Sequence, residues 1–218
     1  MRQAICYVPC LQHFAKNKLY IKDPNRNHIY ATMAPIRPSG QKPTLGNVLV
    51  IGGCGFLGHH IVAQIISSWG ASRVSVIDVR TDRNRRPESD KVTYYDGDIT
   101  QVSSLLDIFT KAKPEIVIHT ASPLAVADAS QKTKDLYYKV NVEGTKAVIE
   151  ACQVKGVKAL VYTSSASVVS DNVSDLINVD ERWPVVPPQF QTEYYSQTKV
   201  MTHTQTLWQT CMLSLLQC

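Results

Sequence analysis

The stretch NVLVIGGCGFLGHHIV, residues 47–62, restricts the fold of this chain more than any other. NVLVIG is a short apolar run closed by glycine, the pattern of a buried strand rather than a helix. Gly52, Gly55 and Gly58 follow at three-residue intervals, and Leu57, Ile61, Ile65 and Trp69 then repeat at helical spacing. A strand, a glycine turn and a helix in that order form a phosphate site. The turn lets backbone approach a pyrophosphate, and the helix start offers free N–H groups and a positive dipole end. Glycines alone also serve ordinary turns, so the flanking elements carry the argument.

The same alternation continues downstream. Strands are predicted at 73–78 (RVSVID), 92–95 (VTYY), 115–121 (EIVIHTA) and 159–165 (ALVYTSS), with a helix over 104–109 (SLLDIF). Val140, Gly144, Val148 and Cys152 mark one face of a long helix. Strand and helix in alternation specify an α/β fold, a parallel sheet covered by helices. This region, 46–199, is read as one domain.

Charge separates the rest. Residues 1–45 hold seven Lys/Arg and one acid, Asp23, so this extension carries +6 and the remainder −1 of the chain's net +5. With its Pro and Asn content the extension reads as disordered, and Met33 within it would serve as a start residue. A basic charge confined to such a tail argues against nucleic acid as a partner of the folded body. Six cysteines (Cys6, Cys10, Cys54, Cys152, Cys211, Cys218) include no C-x-x-C pair, so reduced thiols and no metal are expected. No apolar run reaches the ~20 residues of a membrane span, and Pro9 and Pro24 interrupt any amphipathic presequence helix.

Asp78 closes the second predicted strand, twenty residues beyond Gly58. A carboxylate there accepts hydrogen bonds from both adenine-ribose hydroxyls and repels a 2′-phosphate, which favours NAD over NADP; Arg80 nearby argues the other way. Asp98, in DGDIT, has two readings, an adenine contact or a turn residue. At the other end, Tyr195 and Lys199 stand four apart, on one face of a helix. Tyrosine has a reference pKa near ~10, so a tyrosine base at neutral pH needs a cation beside it. Ser164, Ser165 and Ser167 cluster at the carboxyl end of the fifth strand, where ligands bind in open α/β sheets. One of them could hold a substrate oxygen while Tyr195 exchanges its proton; strand-end capping is the structural alternative.

GGCGFLG, IDVR, DGDIT, IHTASP, NVEGT, VYTSSASVV and YYSQTK, in this order, resemble the extended short-chain dehydrogenase/reductase superfamily, and within it the 3β-hydroxysteroid dehydrogenase family. The likeness is strongest to the branch acting on 4α-carboxysterols, especially in fungi. The resemblance implies a Rossmann-type doubly wound sheet and NAD-dependent oxidation of a 3β-hydroxysterol, with a 4α-carboxylate leaving as carbon dioxide. It implies that Gly52, Gly55 and Gly58 cradle the pyrophosphate with amides from Phe56 and Leu57, and that Asp78 selects NAD. Asp98 and Ile99 would flank the adenine. Thr120, Ala121 and Ser122 would line the nicotinamide, with Asn141 behind them. Ser165 matches the catalytic serine, Tyr195 the acid/base, and Lys199 the residue that lowers the tyrosine pKa and holds the nicotinamide ribose. It also implies association with sterol-synthesis enzymes at the endoplasmic reticulum membrane.

Only 19 residues follow Lys199, and VMTHTQTLWQTCMLSLLQC shows no acidic residue and no helical stripe continuing the one before it. Residues 200–218 are therefore read as an atypical tail in place of the family's substrate-binding region, such as read-through into an intron at Val200 would produce. The sheet is expected to be incomplete at its C-terminal side, and the chain to bind nucleotide while oxidising little or no sterol. Competing readings are another extended dehydrogenase (a nucleotide-sugar epimerase or a flavonoid-type reductase) and a non-catalytic nucleotide-binding fragment.

Overall fold

The computed structural model describes residues 44–180 and 183–215. The expectations for residues 1–43, including Cys6 and Cys10, lie outside the described residues, as does Cys218. Five strands form one sheet: β1 (Thr44–Ile51), β2 (Gly70–Asp78), β3 (Thr93–Asp96), β4 (Ile116–His119) and β5 (Ala159–Tyr162), in the order β3-β2-β1-β4-β5. β1 pairs in parallel with β2 and with β4, and β2 with β3; Val50 stands opposite both Val76 and Ile118. This is the order of a doubly wound dinucleotide-binding sheet through its fifth strand, with the change of direction between β1 and β4.

Val48, Leu49, Val50 and Ile51 are all buried, as a strand covered on both faces must be. On one face Val48, Val50, Val74 and Val76 pack with Val62 and Ile65 of helix α1 (Phe56–Ser68). The buried stripe of α1 is Gly58, Val62 and Ile65, not the series ending at Trp69. Trp69 leaves the helix in an extended conformation and is 45% exposed, because β2 begins at the next residue. Helix α2 (Val102–Ala112) buries Leu105, Ile108, Phe109 and Ala112, wider than the core segment read from the sequence.

The long helix expected around Val140 is not uniform. It comprises α3 (Gln131–Tyr137), a π-helical turn (Tyr138–Gly144) and α4 (Thr145–Val154). Such turns are frequent at functional sites; this one carries Asn141, which is buried. The last helix, α5 (Tyr194–Leu215), runs through Lys199 without a break, where no continuing helical stripe was read from the sequence.

The chain divides into two compact units. Among the described residues one holds 44–122 and 147–161, and the other 123–146, 162–180 and 183–215. Cys54 and Cys152 are buried free thiols. Burial pushes both up, Cys152 to about 12, and both stay protonated and unreactive at neutral pH. No helix among the described residues is long and apolar enough to cross a membrane, and no group of His, Cys, Asp or Glu among them could hold a metal ion.

Candidate functional site

In the first unit the glycine turn is built by close approach. Gly52 has φ +80, and a Cβ there would lie 2.7 Å from the Ala121 nitrogen and 2.9 Å from the Thr120 hydroxyl. Only glycine fits both the conformation and the space. A Cβ at Gly58 would overlap the Gly52 carbonyl oxygen and come within 2.7 Å of the Gly53 Cα, so α1 lies directly on the turn. Gly53, passed over in the sequence reading, has a similar constraint: its Cβ would stand 2.6 Å from a Val76 methyl. Gly55 is the helix N-cap and has no side-chain hydrogen bond. The first amides of α1, near Phe56 and Leu57, thus start from a residue with no side chain to cap them. Phe56 is exposed and Leu57 half-buried.

Asp78 is buried at the end of β2, where its Oδ2 accepts the Cys54 N–H at 3.0 Å and its Oδ1 the Arg80 N–H at 3.2 Å. The carboxylate therefore braces the glycine turn through the Cys54 N–H. Asn84 completes the brace: its Nδ2 donates to the Cys54 carbonyl at 2.8 Å, and its own carbonyl lies 2.6 Å from His59 Nδ1. Asn84 has φ 51, a conformation Asn tolerates better than most residues. That tolerance was the only signal its sequence carried.

Thr120 donates its hydroxyl to the Ile51 carbonyl at 2.8 Å, which ties the end of β4 to the end of β1 and brings Ala121 against Gly52. Thr120, Ala121 and Ser122 are half-buried. Asp98 has the geometry of its turn reading, with Oδ1 accepting the Thr100 N–H at 2.8 Å, while Ile99 is buried in the core.

In the second unit α5 presents Tyr195 and Lys199 one turn apart. Lys199 is 3% exposed, with Nζ 5.4 Å from the centre of the Tyr162 ring, 5.9 Å from that of Tyr195, and 3.5 Å from the Thr163 carbonyl. Burial pushes its pKa down to about 8. It is a cation held at the edge of neutrality beside a phenol, where a positive charge favours phenolate. Ser165 caps a 3-10 turn (Ala166–Val169), its Oγ accepting the Ser167 N–H at 3.2 Å and lying 2.8 Å from Ser167 Oγ. Ser164 points elsewhere, 3.2 Å from His203 Nδ1.

Asn141 meets α5 rather than open space. Its Nδ2 donates to Thr198 Oγ1 at 3.0 Å, and its carbonyl accepts the Thr202 hydroxyl at 3.2 Å. It fixes the helix that carries Tyr195 and Lys199, a supporting role. Thr198, Thr202 and Thr206 form the buried stripe missed in the sequence. Each hydroxyl bonds back to a carbonyl of its own helix, at 2.7, 2.6 and 2.8 Å, to Tyr195, Thr198 and Thr202 respectively.

The model of the 3-beta hydroxysteroid dehydrogenase/isomerase family matches residues 49–208, nearly three-quarters of the chain. The chain belongs to this family. The match runs past Lys199, where the resemblance was expected to end, and agrees with the unbroken α5. Among curated relatives, the decarboxylating sterol-4-alpha-carboxylate 3-dehydrogenase of Schizosaccharomyces pombe is 40% identical over 164 residues, 75% of this chain and 45% of that protein. The enzyme of the same name in Homo sapiens is 37% identical, covering 70% of this chain and 37% of its own. This family member spans about half the length of the curated relatives it matches. Among solved structures, the Thermus thermophilus UDP-glucose 4-epimerase complex with NAD is 26% identical, with a TM-score of 0.61 over 75% of this chain and 50% of that one.

Proposed function

We propose that this chain carries the NAD-binding and proton-transfer elements of a dehydrogenase that oxidises the 3β-hydroxyl of a sterol bearing a 4α-carboxylate. The relatives' names support that substrate, and the residues present fit a dinucleotide. The glycine turn has room for nothing larger than hydrogen at Gly52 and Gly58, α1 begins without a side-chain cap, and Asp78 stands beside the turn with acceptor capacity for ribose hydroxyls. NAD, when bound, supplies the hydride acceptor.

Every other step belongs to the protein. Tyr195 takes the proton from the sterol 3-hydroxyl as C3 is oxidised, and Lys199 stabilises the phenolate form that can do so. Ser165 orients the substrate oxygen. The 3-ketone that results draws electrons from the bond to the 4α-carboxylate, which leaves as carbon dioxide without a further protein nucleophile. Action at the endoplasmic reticulum membrane, near other sterol-synthesis enzymes, suits so apolar a substrate.

The observation that carries this reading is Lys199, a buried lysine depressed to about 8, placed against the Tyr195 ring and in no ion pair among the described residues. The test is NAD titration together with sterol-dependent NADH formation. Tyr195→Phe should remove turnover by about 10²-fold or more while leaving NAD affinity unchanged. Measurable sterol-dependent NADH formation that Tyr195→Phe leaves undiminished, or an unmodified chain that binds no NAD, overturns the reading.

A further inference from the structure

Tyr137 ends α3 with only 3% of its surface exposed. Its ring stands edge-on to the ring of Tyr195, centroids 5.5 Å apart at 74°. Its hydroxyl is used twice, donating to the Leu124 carbonyl at 3.1 Å and accepting the Val126 N–H at 2.9 Å. One side chain therefore ties a loop directly to the ring assigned to proton transfer. The loop is pinned again further along, where Asp128 accepts the Ser130 N–H at 2.8 Å and the Ser130 hydroxyl at 2.9 Å, and Ser130 caps α3. Hydrogen bonding by Thr133 and Ser130 keeps the Asp128 carboxylate below its ordinary range.

At the first of these pins the loop shows apolar side chains to solvent: Leu124 is 82% exposed and Val126 52%. A loop fixed at two points that presents leucine and valine outward gains nothing for folding from those side chains. Apolar groups held out on an ordered frame suit a ligand whose apolar surface they cover, and pre-ordering lowers the entropic cost of covering it.

We propose that Tyr137 is a positioning residue that sets the Leu124–Val126 loop against Tyr195, and that Leu124 and Val126 contact the hydrocarbon face of the substrate. The inference rests on the sterol reading above and adds to it the element that recognises the apolar skeleton. Tyr137→Phe keeps the ring against Tyr195 and removes both hydrogen bonds to the loop, whereas Leu124→Ser leaves the clamp and removes apolar surface.

The experiment measures amide exchange at Val126 and the affinity of a fluorescent sterol, dehydroergosterol, in the full chain and both variants. Tyr137→Phe should speed exchange at Val126 and weaken sterol binding about fivefold to tenfold, the loss of a hydrogen bond or two. NAD affinity should stay unchanged. Leu124→Ser should weaken sterol binding to a similar degree with exchange at Val126 unaltered, a split that a merely structural Tyr137 would not produce. Unchanged exchange in Tyr137→Phe refutes the clamp. Faster exchange with undiminished sterol binding refutes the substrate contact while leaving the dehydrogenase reading in place. An unmodified chain that binds NAD but no sterol refutes the substrate reading and this contact together.

Discussion

The glycine turn and helix α5 bury their functional groups by opposite means. The turn excludes side chains: Gly52, Gly53 and Gly58 bring backbone against backbone, Thr120 and Val76, and the surrounding core is valine and isoleucine. α5 buries polar groups instead, with Ser196, Thr198, Lys199, Thr202, His203 and Thr206 all on its covered side. The first region is stabilised by the site's own shape. The second keeps a desolvated lysine, while its threonines each donate to a carbonyl of their own helix. The difference predicts unequal responses to substitution.

The largest effect is expected at Gly58. Gly58→Val places atoms where the Gly52 carbonyl lies, and backbone cannot yield as a side chain can. A loss of roughly 3 kcal/mol or more and the disappearance of NAD binding should follow, read by thermal melting and titration. A stable Gly58→Val protein that binds NAD would end the argument that backbone contact forms this site.

Lys199→Met should act in the other direction. The folded pKa of about 8 lies below the unfolded value near ~10.4, so the charge on Lys199 opposes folding. The unfolded chain binds the extra proton between these two values, so the stability of the unmodified protein rises with pH across that window and the burden is full below it. The methionine variant should be more stable by roughly 1–3 kcal/mol at pH 7, with the gain fading as pH climbs from about 8 toward ~10.4. Denaturant melts at pH 7 and pH 10 decide it, and equal gains at both would show that charge is not the cause.

Asp78 separates bracing from cofactor choice. Asp78→Ala leaves the Cys54 N–H without its acceptor, a loss of about 1–3 kcal/mol. Asp78→Asn keeps an acceptor and should lose less, while both narrow the preference for NAD over NADP in paired titrations. Smallest of all should be Thr206→Val. Its hydroxyl donates to a carbonyl within its own helix, so the variant should change stability by under about 0.5 kcal/mol. A larger loss would place Thr206 in a wider polar network, and the contrast between the two regions would sharpen accordingly.

The sequence alone determined the parallel sheet, the glycine turn at Gly52 and Gly58, Asp78 at its strand end, and the pairing of Tyr195 with Lys199 on one helix. These are local facts. A strand of apolar residues, a positive-φ glycine and an i,i+4 spacing each follow from a few neighbouring residues. What only the tertiary structure decided is what those groups touch. Trp69 turned outward because β2 starts beside it, and Asn141 was found against Thr198, 57 residues away. The continuation of α5 was hidden for a related reason. Its covered stripe is threonine, which reads as surface or loop until back-bonding within the helix is seen to satisfy each hydroxyl. Burial of Lys199 belongs to the same class, since desolvation depends on everything packed around a group and is written at no single position.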